Sequence, residues 1–432
     1  LAGNGACSLR EAIVNSNDNA QTNVDCLAGE AGTVAMDVIN LPAGTYTLTL
    51  GGVDERCDGD VPCAGNGVEG DPYVPVIASD AGMGDLDIND DLTVSGAGPD
   101  LTLVQWAAAV PDDDPLTGDR IFHVAVPAGA SANIASVVIR DLTVVNGQAG
   151  LVPTEAADVC ISGVYTPENL NAYDIDDNAA TDADCVNNTI TLDQFRRMGG
   201  AIAFGAGYAI VTYEQAEHGP DAGGGGDGGA DMGPFPGGKP GEEEGFTIES
   251  AALARVVIIN NWSGADGGGI YSAVPATLEQ VAISGNIGNA NGGGIYNDAT
   301  LSISGSLIGR VFDPDTAAQF PELTNPNRGE NGGGLFDTGS HTTSIVGSAI
   351  NGNEAIGGGG IASRAGIIIN IDNSTISGNT GTDVGGGITT NGTVNLRNVT
   401  LANNIADTDA PGGGGGLNAF GPGTYNFNTV SY

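Results

Sequence analysis

Residues 292–309, GGGIYNDATLSISGSLIG, carry the reading that decides the fold: a glycine triad, one aliphatic residue, a short polar turn, then apolar and polar side chains alternating through LSIS. Alternation with a period of two marks strands, and glycines allow bends and close backbone approaches that a Cβ would block. The unit recurs. Glycine clusters followed by an aliphatic residue end at Ile202, Ile270, Ile295, Leu335, Ile361, Ile388 and Leu417, separated by 68, 25, 40, 26, 27 and 29 positions. One unit is thus about 25 to 29 residues long, and the two wider gaps hold insertions, 214–247 and 311–330.

Three short strands at ~3.3 Å per residue, joined by tight turns, use up such a unit, and each unit climbs by ~4.8 Å, the spacing of hydrogen-bonded strands. The expectation is an all-β stack of coils. No single coil buries its own inward side chains, but stacking places Ile270, Ile295, Leu335, Ile361, Ile388 and Leu417 in one aliphatic ladder. Asn261, Asn286, Asn353, Asn379 and Asn404 recur after the third strand of successive units, a position where a left-handed backbone suits Asn, and they are expected to stack as an amide ladder. Asn261 also opens the sequon NWS, and Asn398 the sequon NVT, but the turn role is the reading adopted. A phosphate-cradling function for the glycines is set aside because no helix follows any triad.

Composition agrees. Glycine supplies 72 of 432 residues and aromatics only 5%, so a thick core of large side chains is excluded. The formal net charge of −41 argues against nucleic acid as a partner and reads first as a solubilising surface, with calcium binding as the alternative. The six cysteines fall as neighbouring pairs, Cys7/Cys26, Cys57/Cys63 and Cys160/Cys185, without CxxC spacing, and read as local disulfides formed in an oxidising compartment. No apolar run reaches the roughly 18 residues of a membrane span. No initiator Met or signal peptide is present, and the chain is expected to begin after signal cleavage.

Before the repeats comes CSLREAIVNSN (7–17), the one clear helical stretch. Ser8 and Glu11 have the S-x-x-E spacing of a capping box, and Leu9 and Ile13 share an apolar side. An end coil exposes unpaired backbone and apolar side chains, so this helix is expected to close the stack, pinned through Cys7 to Cys26. The organisation expected is a cap at 1–30, first coils at 31–147, an acidic cysteine-bearing insertion at 148–198 and the regular repeats at 199–432.

CSLREAI resembles the signature of CSLREA-domain proteins, predicted surface proteins of bacteria and archaea. GDLDINDDLTVSGAG (84–98), DRIF (119–122), GGGIYN (292–297) and ISGN (376–379) are similar to segments downstream of that signature in the family, and also to repeats of polymorphic outer-membrane proteins. The resemblance implies a right-handed parallel β-helix, exported and displayed on a prokaryotic cell surface, and implies no defined reaction. Family members often carry a C-terminal anchor, and none is recognisable here.

β-Helices also serve as polysaccharide lyases and hydrolases, so the supply of reactive residues matters. Lys239 is the only lysine, arginines are scattered apart from Arg196–Arg197, and Asp90–Asp91 and Asp176–Asp177 are adjacent pairs whose members point to opposite faces of a strand. His123, His218 and His341 lie far apart and read as structural. No catalytic set is assigned. GNGVEG (65–70) lacks the strand-to-helix setting of a dinucleotide loop. The best ligand pattern is DIDDNAATDAD (174–184), with Asp174, Asp176, Asn178 and Asp182 as candidate calcium donors, although the turn glycine and final glutamate of a calcium loop are missing. DLDIND (85–90) has similar spacing but reads as a strand.

The last segment, GTYNFNTVSY, places Tyr425, Phe427, Val430 and Tyr432 on an unprotected strand edge. Either more protein continues beyond it or this edge docks on another molecule, and head-to-tail docking of copies would build a fibre. The function expected is a secreted or cell-surface structural or adhesive protein that is not an enzyme. Its expected partners are copies of itself, a surface polysaccharide or another surface protein. The alternative is a carbohydrate-active lyase or hydrolase on the same scaffold.

Overall fold

A computed structural model describes residues 5–30, 36–49, 84–107, 120–125, 134–149, 200–205, 248–311, 321–406 and 414–431, with short strands at 63–64, 74–75, 160–162 and 189–191. The chain forms a right-handed parallel β-helix. Its coils are held by sheets of sixteen, nine and seven strands, and every pairing within them is parallel. Strand, crossover and parallel strand follow the right-handed sense that twisted strands impose.

The coil that begins with the quoted stretch shows the geometry. Ile295–Asn297 lies in the nine-stranded sheet, Leu301–Ser304 and Leu307–Gly309 in the sixteen-stranded sheet, and Arg328–Asn331 in the seven-stranded sheet. Three sheets are present, but the largest bends, so a full coil carries four short strands. The bend is a column of left-handed residues: Asp141, Arg255, Gln280, Gly305, Gly347, Asn373 and Asn398, with φ between 51° and 59°. Where the strand runs unbroken through it, as in Val137–Val145, Ala251–Ile259 and Thr393–Ala402, the two arms are continuous.

The glycine triads form another corner. Gly292 is left-handed (φ +67), and a Cβ on Gly293 would stand 2.2 Å from the Arg328 carbonyl oxygen, so the triad combines a turn with a contact that admits no side chain. The aliphatic residue after each triad then enters the core. Ile270, Ile295, Leu335, Ile361, Ile388 and Leu417 pair in register as expected, and the ladder continues backward through Ile202 and Phe122 to Leu86.

The amide ladder also forms, with one difference. The left-handed residues are Asn146, Asn260, Gly285, Gly352, Gly378 and Asn403, each one position before the turn into the seven-stranded sheet. The ladder asparagines follow them and point inward. Asn261, Asn286, Asn353 and Asn379 are at most 1% exposed, and Nδ2 of each donates to the next rung. Asn327, missed because the 311–330 insertion disguises its spacing, is the rung between Asn286 and Asn353. A buried amide needs partners for both its donor and acceptor atoms, and a column of identical amides supplies them.

Helix α1 (Leu9–Asn17) covers the first edge. Ser8 and Glu11 make the capping box, and Cys7 and Cys26 are joined by a disulfide. Leu9 and Ile13 enter the core. Arg10 donates to the carbonyl oxygens of Gly84 and Asp85 at 2.7 and 2.8 Å, while Asn17 donates to that of Asp87 and accepts from the Asn89 amide. These side chains replace the backbone of the coil that would otherwise precede strand Leu86–Ile88. At the other end, Gly423–Ser431 pairs along one side with Thr393–Ala402, which places Tyr425, Phe427 and Val430 on a strand at the edge of the described stack, while Tyr432 lies outside the described residues.

Candidate functional site

Two surfaces of the stack concentrate chemistry. The first is the upper end of the nine-stranded sheet. Alternation along Leu86–Ile88 and Phe122–Val124 sends Leu86, Ile88, Phe122 and Val124 inward and turns Asp87 and His123, paired in register, to the opposite face. Asp85 and Asp87 share that face because they are two apart on the chain.

The group is buried: Asp85, Arg120 and His123 are 0% exposed and Asp87 is 3% exposed. Arg120 Nε donates to Asp85 Oδ2 at 2.7 Å, and His123 Nδ1 lies 3.1 Å from Asp87 Oδ1 with Nε2 3.2 Å from the Gly205 carbonyl oxygen. The Gly205 carbonyl oxygen can only accept, so Nε2 carries the hydrogen of that contact, while Nδ1 faces Asp87.

Asp85, Asp87 and His123 each offer a ligand atom within 4.8 Å of the others, a spacing that would suit a cation. The guanidinium of Arg120 on Asp85, and that of Arg10 on the adjacent carbonyls, already bring positive charge. The set joins Asp85 and Asp87 of one coil to Arg120 and His123 of the next. His123, expected to be structural, has that kind of setting, and its pairing with Asp87 across 36 residues left no trace in local sequence.

Further along the same sheet face, Tyr271, Tyr296 and Phe336 stack at 5.2 and 5.6 Å between centroids, and Arg364 lies 5.6 Å from the centre of the Phe336 ring. Burial, and then the Asp266 carboxylate, push the Tyr296 phenol far above its usual range, so it stays protonated. Tyr271 and Phe336 are 6% and 1% exposed, which makes this stack a packing element and not an open platform. On the face of Ile295 and Leu335, His341 Nε2 sits 2.8 Å from Asp337 Oδ1, and Asn297 Nδ2 donates to the same oxygen at 2.8 Å.

The second surface is the outer face of the seven-stranded sheet. In register it presents Gln148, Trp262, Ile287, Arg328, Glu354, Thr380 and Ile405, one from each coil. Inward positions repeat the same residue types coil after coil, whereas these outward positions are varied.

Among the other candidates, Asp90 accepts from Asn19 and from the Asp91 amide, and Asp91 Oδ1 accepts from the amides of Ala135 and Ser136 at 2.6 and 2.9 Å. Both carboxylates thus organise turns. Asp174, Asp176, Asn178 and Asp182, Asp177, the cysteines Cys57 and Cys185, Arg196–Arg197, His218 and Lys239 lie outside the described residues, as do the side chains of Cys63 and Cys160. Among the described arginines, Arg255, Arg328 and Arg397 pair with Asp141, Glu354 and Asp372 of a neighbouring coil.

This architecture belongs to the class of right-handed parallel β-helix proteins. No family model matches the chain, and no curated protein matches it. Among solved structures it is similar to the A-modules of two mannuronan C-5 epimerases of Azotobacter vinelandii. AlgE4 is matched at 12% identity and a TM-score of 0.27 over 99% of this chain and 96% of that one. AlgE6 is matched at 13% and 0.24 over 100% and 95%. Likeness at that level carries no argument about activity, and the class rests on the strand pairings. Among the described residues no helix is long and apolar enough to cross a membrane.

Proposed function

We propose that this chain is an exported, surface-displayed β-helix with a structural or adhesive role, in line with the resemblance of its opening motif to CSLREA-domain surface proteins. The observation that carries this reading is the contrast on the seven-stranded sheet: inside, each coil repeats its neighbour, while outside, Trp262, Ile287, Arg328, Glu354, Thr380 and Ile405 form a varied file on a rigid support. A repeat scaffold of this kind separates stability, which is a sum over neighbouring coils, from recognition, which is written on one face. Several of the described arginines contribute to stability: three bridge adjacent coils, Arg10 seals the first edge and Arg120 neutralises Asp85.

A β-helix polysaccharide lyase or hydrolase is the second reading, favoured by the Asp87–His123 pair beside Arg120. Its weakness is that these groups are buried, while an acid–base pair must touch the bond it breaks. Binding of the purified protein to cells and to immobilised polysaccharides, run beside assays for release of reducing or unsaturated sugar, separates the two. Binding without release supports the adhesive reading, and release lost in Asp87→Asn replaces it with the enzymatic one. Electron microscopy with and without calcium tests end-to-end fibres, for which single particles alone in both conditions would be the refuting result.

A further inference from the structure

A cleft of about 360 Å³ opens on the seven-stranded sheet and is lined by Asn260, Trp262, Gly285, Ile287, Asn325 and Arg328, with Asn261 and Pro326 completing it. One wall is the file Trp262–Ile287–Arg328, three successive rungs in register. Opposite stands a corner shaped by the insertion. Asn260 is left-handed and exposed, and the described end of the insertion, 321–330, places exposed Asn325 near it, Nδ2 3.5 Å from Asn260 Oδ1. Gly285 lies between them. A Cβ there would stand 2.5 Å from Asn260 Oδ1 and 3.1 Å from the Asn325 Cβ, so glycine keeps the notch open.

We infer that this cleft is a subsite for a neutral hexose unit of a polysaccharide. Three properties point to that ligand. The Trp262 indole in the lining offers a flat apolar surface with a polar edge, which suits the C–H face of a pyranose ring. Two side-chain amides, each both donor and acceptor, match neighbouring hydroxyls that also do both. Arg328 is oriented by its bond from Nε to Glu354 Oε2 at 2.8 Å, which leaves its terminal amino groups as further donors on a side chain 55% exposed. A concavity that combines an apolar wall with a few convergent polar groups is the usual form of a small-ligand site, and about 360 Å³ lies at the small end of the usual range. The ring is neutral because Glu354 already balances Arg328 and a chain of net charge −41 repels polyanions.

The inference rests on the adhesive reading and gives it a ligand class. Its test uses the two tryptophans of the chain: Trp106 is buried, so Trp106→Phe leaves Trp262 as the only fluorophore of its kind. This protein is titrated with cellotetraose, laminaritetraose, maltotetraose and mannotetraose, with tetragalacturonate as the acidic arm, and calorimetry on the unaltered protein guards against a folding defect in the variant. The expected result is a saturable change in Trp262 emission with at least one neutral tetrasaccharide, weakened about tenfold in Asn325→Ala and abolished in Trp262→Ala when read by calorimetry. No saturable signal up to about 10 mM with any neutral sugar overturns the site. Equal binding in both variants overturns it too, as does response to tetragalacturonate alone. If cells or polysaccharides are still bound in the assay of whole-protein binding, only this site falls; if they are not, the adhesive reading falls with it.

Discussion

Asn327 Nδ2 donates to Asn353 Oδ1 at 2.9 Å across 26 residues, and both side chains are 0% exposed. Asn353 in turn donates to Asn379 Oδ1 at 2.9 Å and to the Ile308 carbonyl oxygen at 3.0 Å. One amide therefore ties together three coils. Asn353→Ala strips partners from all of them inside a low-dielectric core, and the expected loss is about 3 kcal/mol. Urea unfolding followed by circular dichroism measures it. A loss below about 1 kcal/mol would mean that the rungs are independent of one another.

Glycine corners separate two kinds of cost. A Cβ on Gly347 meets nothing within 4 Å, although φ is +57, so Gly347→Ala incurs only left-handed strain, about 1 kcal/mol. The Cβ of Gly293→Ala would collide with the Arg328 carbonyl, whose strand must shift, and the expected cost is at least about 3 kcal/mol. Equal denaturation midpoints for the two variants would refute the stacked geometry of the triads.

Helix α1 closes the first edge through Arg10, whose buried guanidinium donates to the Gly84 and Asp85 backbone carbonyls. Arg10→Ala is expected to cost about 2 to 3 kcal/mol and to speed hydrogen exchange at Leu86–Ile88 before any change near Ile388. Uniform acceleration along the chain would instead indicate a single cooperative unit.

Reducing the Cys7–Cys26 disulfide frees a loop with a sequence separation of 19 and is expected to lower stability by about 3 kcal/mol, confined to the cap. Protease digestion with and without reductant checks this. Cleavage within 7–30 should appear first, and a pattern unchanged by reductant would show that α1 docks without the bond.

The Asp141 carboxyl is held below its usual value of 3.8 by the hydrogen bond from Arg255 on the neighbouring coil. Because its folded value is the lower one, its contribution to stability is complete above the unfolded value and disappears as pH falls through the folded value. Stability from this group is thus flat from pH 7 down to about 5 and declines below that. NMR titration should place the Asp141 midpoint under 3.8 in the native protein and nearer to it in Arg255→Gln. A midpoint unmoved by the substitution would show that the ion pair is not made in solution.

The contrast between Ile295 and Asn327 shows which parts of the structure were legible. Ile295 follows a glycine triad at a regular interval, so its place in the aliphatic ladder could be read directly. Asn327 holds an equivalent rung in the amide ladder, but the insertion before it breaks the count. The left-handed position was misplaced by one residue for a related reason: Asn260 and Asn261 are alike on paper, and only the direction of the turn sends one out and the other in.

The sequence by itself determined the period, the inward aliphatic file, the amide column and the helical cap, because each depends on a pattern that is local or that neighbouring coils repeat. Only the tertiary structure brought His123 to Asp87, Arg10 to the open edge of Leu86–Ile88, and Asn325 to Asn260 and Trp262. Those contacts join residues from different coils or from an insertion, at separations that follow no period. Their geometry is set by how the coils stack and where the inserted chain rejoins them.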